Sequence, residues 1–253
     1  MILNPFNPVY FGLLVLIVAI IIALTVIFKN KSEGARKGLI IGICIFNLIF
    51  YVVYKFLLYV RTPGLPDEYI YIPLKELPLH LCNISLILAP LSIAMRNKNL
   101  MGFCFFVSPL GAFFAMSFPS DGFYNASVFA PHMIGYYGTH AIVIIVGMLL
   151  VTLGLYSPRL KEIPKLILFI AILSVIIFGI NVLIFQTTGV RANYFYTVTP
   201  EGISILELFW SWLPIPYLYL SFAMIIFLVY VAIVMIPITI VRAVKGDAIE
   251  EIE

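Results

Sequence analysis

Long apolar runs constrain this chain more than any single motif. Stretches of about 18 or more apolar residues, the length that carries an α-helix across a hydrocarbon core ~30 Å thick, recur between short charged connectors. In hydrocarbon every backbone N–H and C=O must find a partner within the protein, so only helices and closed barrels can span. A barrel would show short alternating segments between turns, and none is visible. The chain is 63% hydrophobic and 11% charged, against roughly 25% charged for soluble domains. The expected fold is an all-α polytopic membrane protein, with residues 1–253 as one integral-membrane domain.

Seven transmembrane helices are expected, at about 10–28, 38–58, 77–95, 100–118, 131–153, 166–185 and 217–241. The run 203–213 holds Trp210 and Trp212 and is followed by Pro214 and Pro216. Proline removes a helix hydrogen bond, so this run reads as interfacial or re-entrant. The connectors after the first, third and fifth spans, with the tail, carry eleven of the fifteen basic residues. Cytoplasmic loops collect Lys and Arg, which puts the N-terminus outside and the C-terminus in the cytoplasm. A net charge of +3 spread over short loops sets orientation and does not suggest nucleic-acid binding. The start of the chain lacks a basic n-region and a small-residue cleavage site, so no removable signal peptide is expected. Three cysteines do not make a disulfide framework. No metal or cofactor motif is present.

The polar intrusion is Leu77-Pro78-Leu79-His80-Leu81-Cys82-Asn83-Ile84-Ser85 at the head of the third span. Ionisable groups inside spans are costly and mark function by default. Read as one helix from Leu77, His80 and Cys82 are two apart and point to nearly opposite faces. A base for Cys82 is then expected from another helix. His132, Tyr136 and His140 repeat every four residues in the fifth span and form one stripe. A thiol needs a base or cation to become a thiolate, and histidine is the usual supplier. Such a pair can accept an acyl group as a thioester and pass it on. Asn83, Asn193 or Tyr194 are candidate oxyanion donors. His80, His132 and Tyr136 are candidates for substrate contact or for support behind the pair. Other readings compete. A buried thiol packs well as a small hydrophobe, and a membrane histidine can bond a neighbouring helix. A small-solute transporter or channel, or a non-catalytic membrane protein, stands as the alternative.

The segments Leu77-Pro78-Leu79-His80-Leu81-Cys82, Tyr137-Gly138-Thr139-His140, Ala192-Asn193-Tyr194-Phe195 and Leu206-Glu207-Leu208-Phe209-Trp210-Ser211-Trp212-Leu213-Pro214-Ile215-Pro216-Tyr217 occur in that order. They resemble the YwaF-like integral membrane family, whose animal relative is transmembrane protein 164. The resemblance implies an acyltransferase that moves a fatty acyl chain between membrane phospholipids and lysophospholipids without a cofactor. The animal relative acts on ether-linked ethanolamine phospholipids. It implies Cys82 as nucleophile, His140 as base, and a bacterial cytoplasmic membrane as the location. Between Tyr194 and Pro200 the chain departs from the family pattern, lacking a methionine and a lysine.

Overall fold

The computed structural model describes residues 1–61, 73–119, 123 and 125–245. Asp121, the whole of the 62–72 connector and the tail beyond 245 lie outside the described residues. A short strand β1 (Ile2–Leu3) precedes α1 (Pro8–Phe28) and α2 (Glu33–Arg61). Then come α3 (Leu81–Ala94), α4 (Lys98–Gly102) and α5 (Ser108–Ser117), the last two joined by a π-helical turn, Phe103–Val107. Strand β2 (Ala126–Ser127) leads into α6 (Pro131–Thr152), followed by α7 (Ile163–Thr188), α8 (Ser204–Trp212) and α9 (Ser221–Lys245).

Six helical stretches are long and apolar enough to cross a membrane: Pro8–Phe28, Glu33–Phe56, Lys98–Ser117, Pro131–Thr152, Leu160–Thr188 and Leu218–Arg242. The protein is an all-α polytopic integral membrane protein. The expected third span is shorter than its apolar run. α3 begins at Leu81, not Leu77, and has 14 residues, or roughly 21 Å of helix. Pro78 keeps Leu77 out of the helical region, as a proline does to the residue before it. Leu77 to Leu79 instead forms a tight turn, with Leu79 N–H donating to the Leu77 carbonyl at 2.7 Å, and His80 is extended (φ −69°, ψ 151°).

α6 is the central helix, and small residues let its neighbours approach closely. A Cβ on Gly147 would meet the Cys104 carbonyl oxygen at 2.5 Å, and one on Gly135 would meet the Tyr54 ring at 2.4 Å. α1, α7 and α9 present large apolar side chains outward, among them Val26, Leu168 and Ile233, as lipid-facing helices do.

At one end of the bundle β1 pairs antiparallel with β2, Ile2 opposite Ser127. There Asn4 Nδ2 donates to Asn125 Oδ1 at 2.8 Å, and the hydroxyls of Tyr10 and Ser117 meet at 2.7 Å. At the other end Thr25 bonds Thr152 at 2.8 Å, Arg36 donates to the Leu153 carbonyl, and Arg242 Nη2 donates to Ser157 Oγ at 2.7 Å.

Candidate functional site

A cavity of about 930 Å³ opens among α2, α3, α5, α6, α7, α9 and the 191–203 connector. Part of its wall is apolar, with Val107, Leu110, Phe114, Ile170 and Phe227. Lys55, Lys75, Glu76, Arg191 and Glu201 bring charge into the same wall. Six of the eight residues singled out from the sequence line it: Cys82, Asn83, His80, Tyr136, His140 and Asn193. His132 and Tyr194 are outside the wall.

Cys82 sits in the first turn of α3 and is 8% exposed. His80 caps this helix with its backbone only: its carbonyl accepts from the N–H groups of Asn83 and Ile84, each at 3.0 Å. The N–H groups of Leu81 and Cys82 have no hydrogen-bond partner among the described residues. The positive end of the helix dipole therefore lies at the thiol, where it stabilises developing negative charge. The Asn83 side-chain amide is likewise unpartnered among the described residues and is nearly buried in the cavity wall.

His140 Nδ1 lies 2.7 Å from the Tyr136 carbonyl one turn earlier. A carbonyl only accepts, so Nδ1 carries the proton and Nε2 keeps its lone pair. The imidazole is thus set as a base through Nε2. Its ring lies 4.5 Å from the Tyr136 ring. Tyr136 is itself fixed, its hydroxyl donating to the Ala115 carbonyl at 2.8 Å and its ring stacking on Phe123 at 4.0 Å. Cys82 is within electrostatic range of that same tyrosine. The thiol and the imidazole line one cavity, with no hydrogen bond between them.

His80 departs from the expectation set by helical phase. Because it stands in an extended turn ahead of α3, it does not face away from Cys82 and lines the same cavity. Its ring packs against Tyr194 at 5.2 Å and Tyr196 at 5.8 Å.

Asn193 and Tyr194, expected as oxyanion donors, are committed to the scaffold. Asn193 Nδ2 donates to the Thr199 carbonyl at 2.7 Å, and its Oδ1 accepts from Val198 N–H at 2.9 Å. The Tyr194 hydroxyl donates to the Leu74 carbonyl at 2.6 Å and accepts from Leu77 N–H at 3.1 Å. It thereby pins the turn that carries His80 and Cys82. Asn181, buried in α7, holds Tyr194 from behind through Nδ2 to its carbonyl (2.9 Å) and Oδ1 from its N–H (3.0 Å). His132 sits near the start of α6 against Phe123, ring centroids 6.0 Å apart.

Sequence reasoning missed Tyr196, and also the Lys55–Glu76 ion pair. Lys55 interrupts the apolar close of α2, which was a usable signal. Tyr196 enters through a turn in which Phe195 and Tyr196 both take positive φ, 59° and 54°, a conformation that side-chain-bearing residues rarely adopt. No sequence pattern announces it. Among the described residues no three His, Cys, Asp or Glu side chains group to hold a metal ion.

Fold and site together define a polytopic all-α membrane protein in which a cysteine and a histidine face one internal cavity. The chain matches the TMEM164 family over residues 5–235 and belongs to that family. No curated protein and no solved structure matches it.

Proposed function

We propose that this protein is a membrane-embedded lipid acyltransferase, or acyl hydrolase, working through an acyl thioester on Cys82. The observation that carries the reading is the shared cavity, in which a thiol at a helix N-terminus and an imidazole with a free Nε2 face the same space. His140 Nε2 takes the thiol proton, and the sulfur attacks the ester carbonyl of a phospholipid. The C–O bond breaks, and the departing lyso-lipid oxygen receives the proton from His140. A lyso-lipid hydroxyl, or water, then gives its proton to His140 and attacks the thioester. The C–S bond breaks and the thiolate is reprotonated. The oxyanion formed in each step would be held by the free N–H groups of Leu81 and Cys82 and by the Asn83 amide, such donors being worth roughly 3 kcal/mol each. The apolar wall suits the acyl chain.

The same reading counts α3 as a seventh crossing. Pairing of β1 with β2 requires an even number of crossings between residues 3 and 126. α1, α2 and the helix Lys98–Ser117 make three, and α3 makes the fourth. The basic residues Arg36, Arg159, Lys161 and Arg242 belong to the end opposite the strands, which supports an external N-terminus and a site toward the extracytoplasmic side. The ordered motifs support a YwaF-like member in a bacterial cytoplasmic membrane.

The test is turnover of a phospholipid labelled in its acyl chain, with and without a lyso-lipid acceptor, by the purified protein. Wild type is expected to release or transfer the chain, and Cys82→Ala and His140→Ala each to abolish this. Full turnover by Cys82→Ala would overturn the assignment. Solute flux in vesicles without lipid turnover would favour a transporter.

A further inference from the structure

His80 has no part in the scheme above, yet the structure holds it as carefully as the reacting pair. It stands outside the helices, in the turn immediately ahead of α3. Its ring is clamped by Tyr194 and Tyr196 and lines the cavity that holds Cys82. Neither ring nitrogen has a hydrogen-bond partner among the described residues. A half-buried imidazole in a cavity wall with no protein partner is available to hydrogen-bond whatever occupies the cavity.

The two imidazoles are held differently. His140 gives Nδ1–H to a carbonyl within its own helix. His80 stands ahead of α3, and burial first, with the Lys55 ammonium and His140 nearby, holds its ring below the usual imidazole range. A neutral imidazole still offers one N–H as a donor. His80 is two residues from the nucleophile along the chain, and its ring lines the same cavity as Leu81 and Cys82.

We propose that His80 is a neutral electrophilic residue of the same site, whose ring N–H donates a hydrogen bond to the acyl carbonyl oxygen as it becomes an oxyanion. This rests on the thioester reading given above. No proton leaves His80 in either half of the reaction; the N–H···O contact shortens as charge develops and relaxes as the carbonyl reforms.

An oxyanion forms both when Cys82 is acylated and when the thioester is cleaved, so loss of the donor must slow both halves. A base for the acceptor would slow only the second. The experiment is single-turnover kinetics with an acyl-labelled phospholipid, following formation and decay of the hydroxylamine-sensitive adduct in wild type, His80→Ala and His80→Gln. His80→Ala is expected to slow both steps by roughly 10²–10³-fold, the usual loss for one oxyanion donor. His80→Gln, which keeps an N–H donor, is expected to recover at least tenfold of that. His80→Met replaces the alanine variant if the latter does not elute as wild type does. Wild-type rates in the donor-less variant overturn the proposal. So does an adduct that forms at the wild-type rate and then persists, and so does a glutamine variant no better than alanine. If wild type itself forms no adduct, the thioester reading falls first, and that failure is visible without any His80 variant.

Discussion

At the residue scale the site depends on which donors are spent and which are free. His140 spends Nδ1 on a carbonyl within its own helix, so its tautomer is decided by backbone geometry and not by a carboxylate. His140→Gln, which has no basic nitrogen, should cut acyl turnover by roughly 10²–10⁴-fold while leaving detergent elution unchanged; turnover assays with labelled lipid check this. The Tyr194 hydroxyl makes two hydrogen bonds to the turn ahead of α3. Removing it in Tyr194→Phe leaves the Leu74 carbonyl and the Leu77 N–H without their partner, which should cost about 1–3 kcal/mol, read as a lower midpoint of thermal unfolding in detergent. Turnover should fall with it, because that turn positions His80 and Cys82. The stripe of His132, Tyr136 and His140 on one face of α6 was legible from its four-residue spacing, whereas the choice of His140 as partner of Cys82 came from the family resemblance. The relation of His80 to Cys82 was misread because helical phase was extended through Pro78. The free donors at Leu81 and Cys82 belong to the backbone, and nothing in their side chains marks them.

At the element scale, helix approach is set by where a side chain is missing. Gly147 on α6 faces the backbone carbonyl of Cys104 at the π-turn, and a backbone group cannot swing aside. Gly147→Ala should destabilise the protein by about 1–3 kcal/mol through overpacking. Gly42 on α2 and Gly179 on α7 have open space where a Cβ would go. Gly42→Ala and Gly179→Ala should be neutral or slightly stabilising, since alanine favours helix by about 1 kcal/mol over glycine. Thermal unfolding of the three variants side by side separates packing from propensity. The apolar runs fall on α1, α2, α6, α7 and α9, because spanning helices need continuous hydrocarbon-compatible sequence. The late start of α3, the π-turn and the 194–196 turn were not legible, because a proline's local veto and long-range clamps such as Asn181 act below the resolution of an apolar run.

At the scale of the whole molecule, the proposed topology rests on the strand pair and on the charges at the opposite end. Seven crossings with the N-terminus outside predict that single cysteines at Asn125 and Ser127 react with an impermeant thiol reagent in intact cells, as does one at Ile2. Cysteines at Ser157 and Lys161 should react only after permeabilisation. Labelling of position 127 and position 2 from opposite sides would break the parity on which the seventh crossing rests. The native thiols at positions 44, 82 and 104 are all buried, which leaves a quiet background for such labelling.

The most direct test is peptide mass mapping of the purified protein after brief incubation with a phospholipid of defined acyl chain and acid quench. The peptide containing Cys82 should gain the mass of that acyl group, lose it on treatment with neutral hydroxylamine, and remain unmodified in Cys82→Ala. Lipid turnover with Cys82 unmodified at every time point, or an acyl group found on another residue, would contradict the thioester at Cys82.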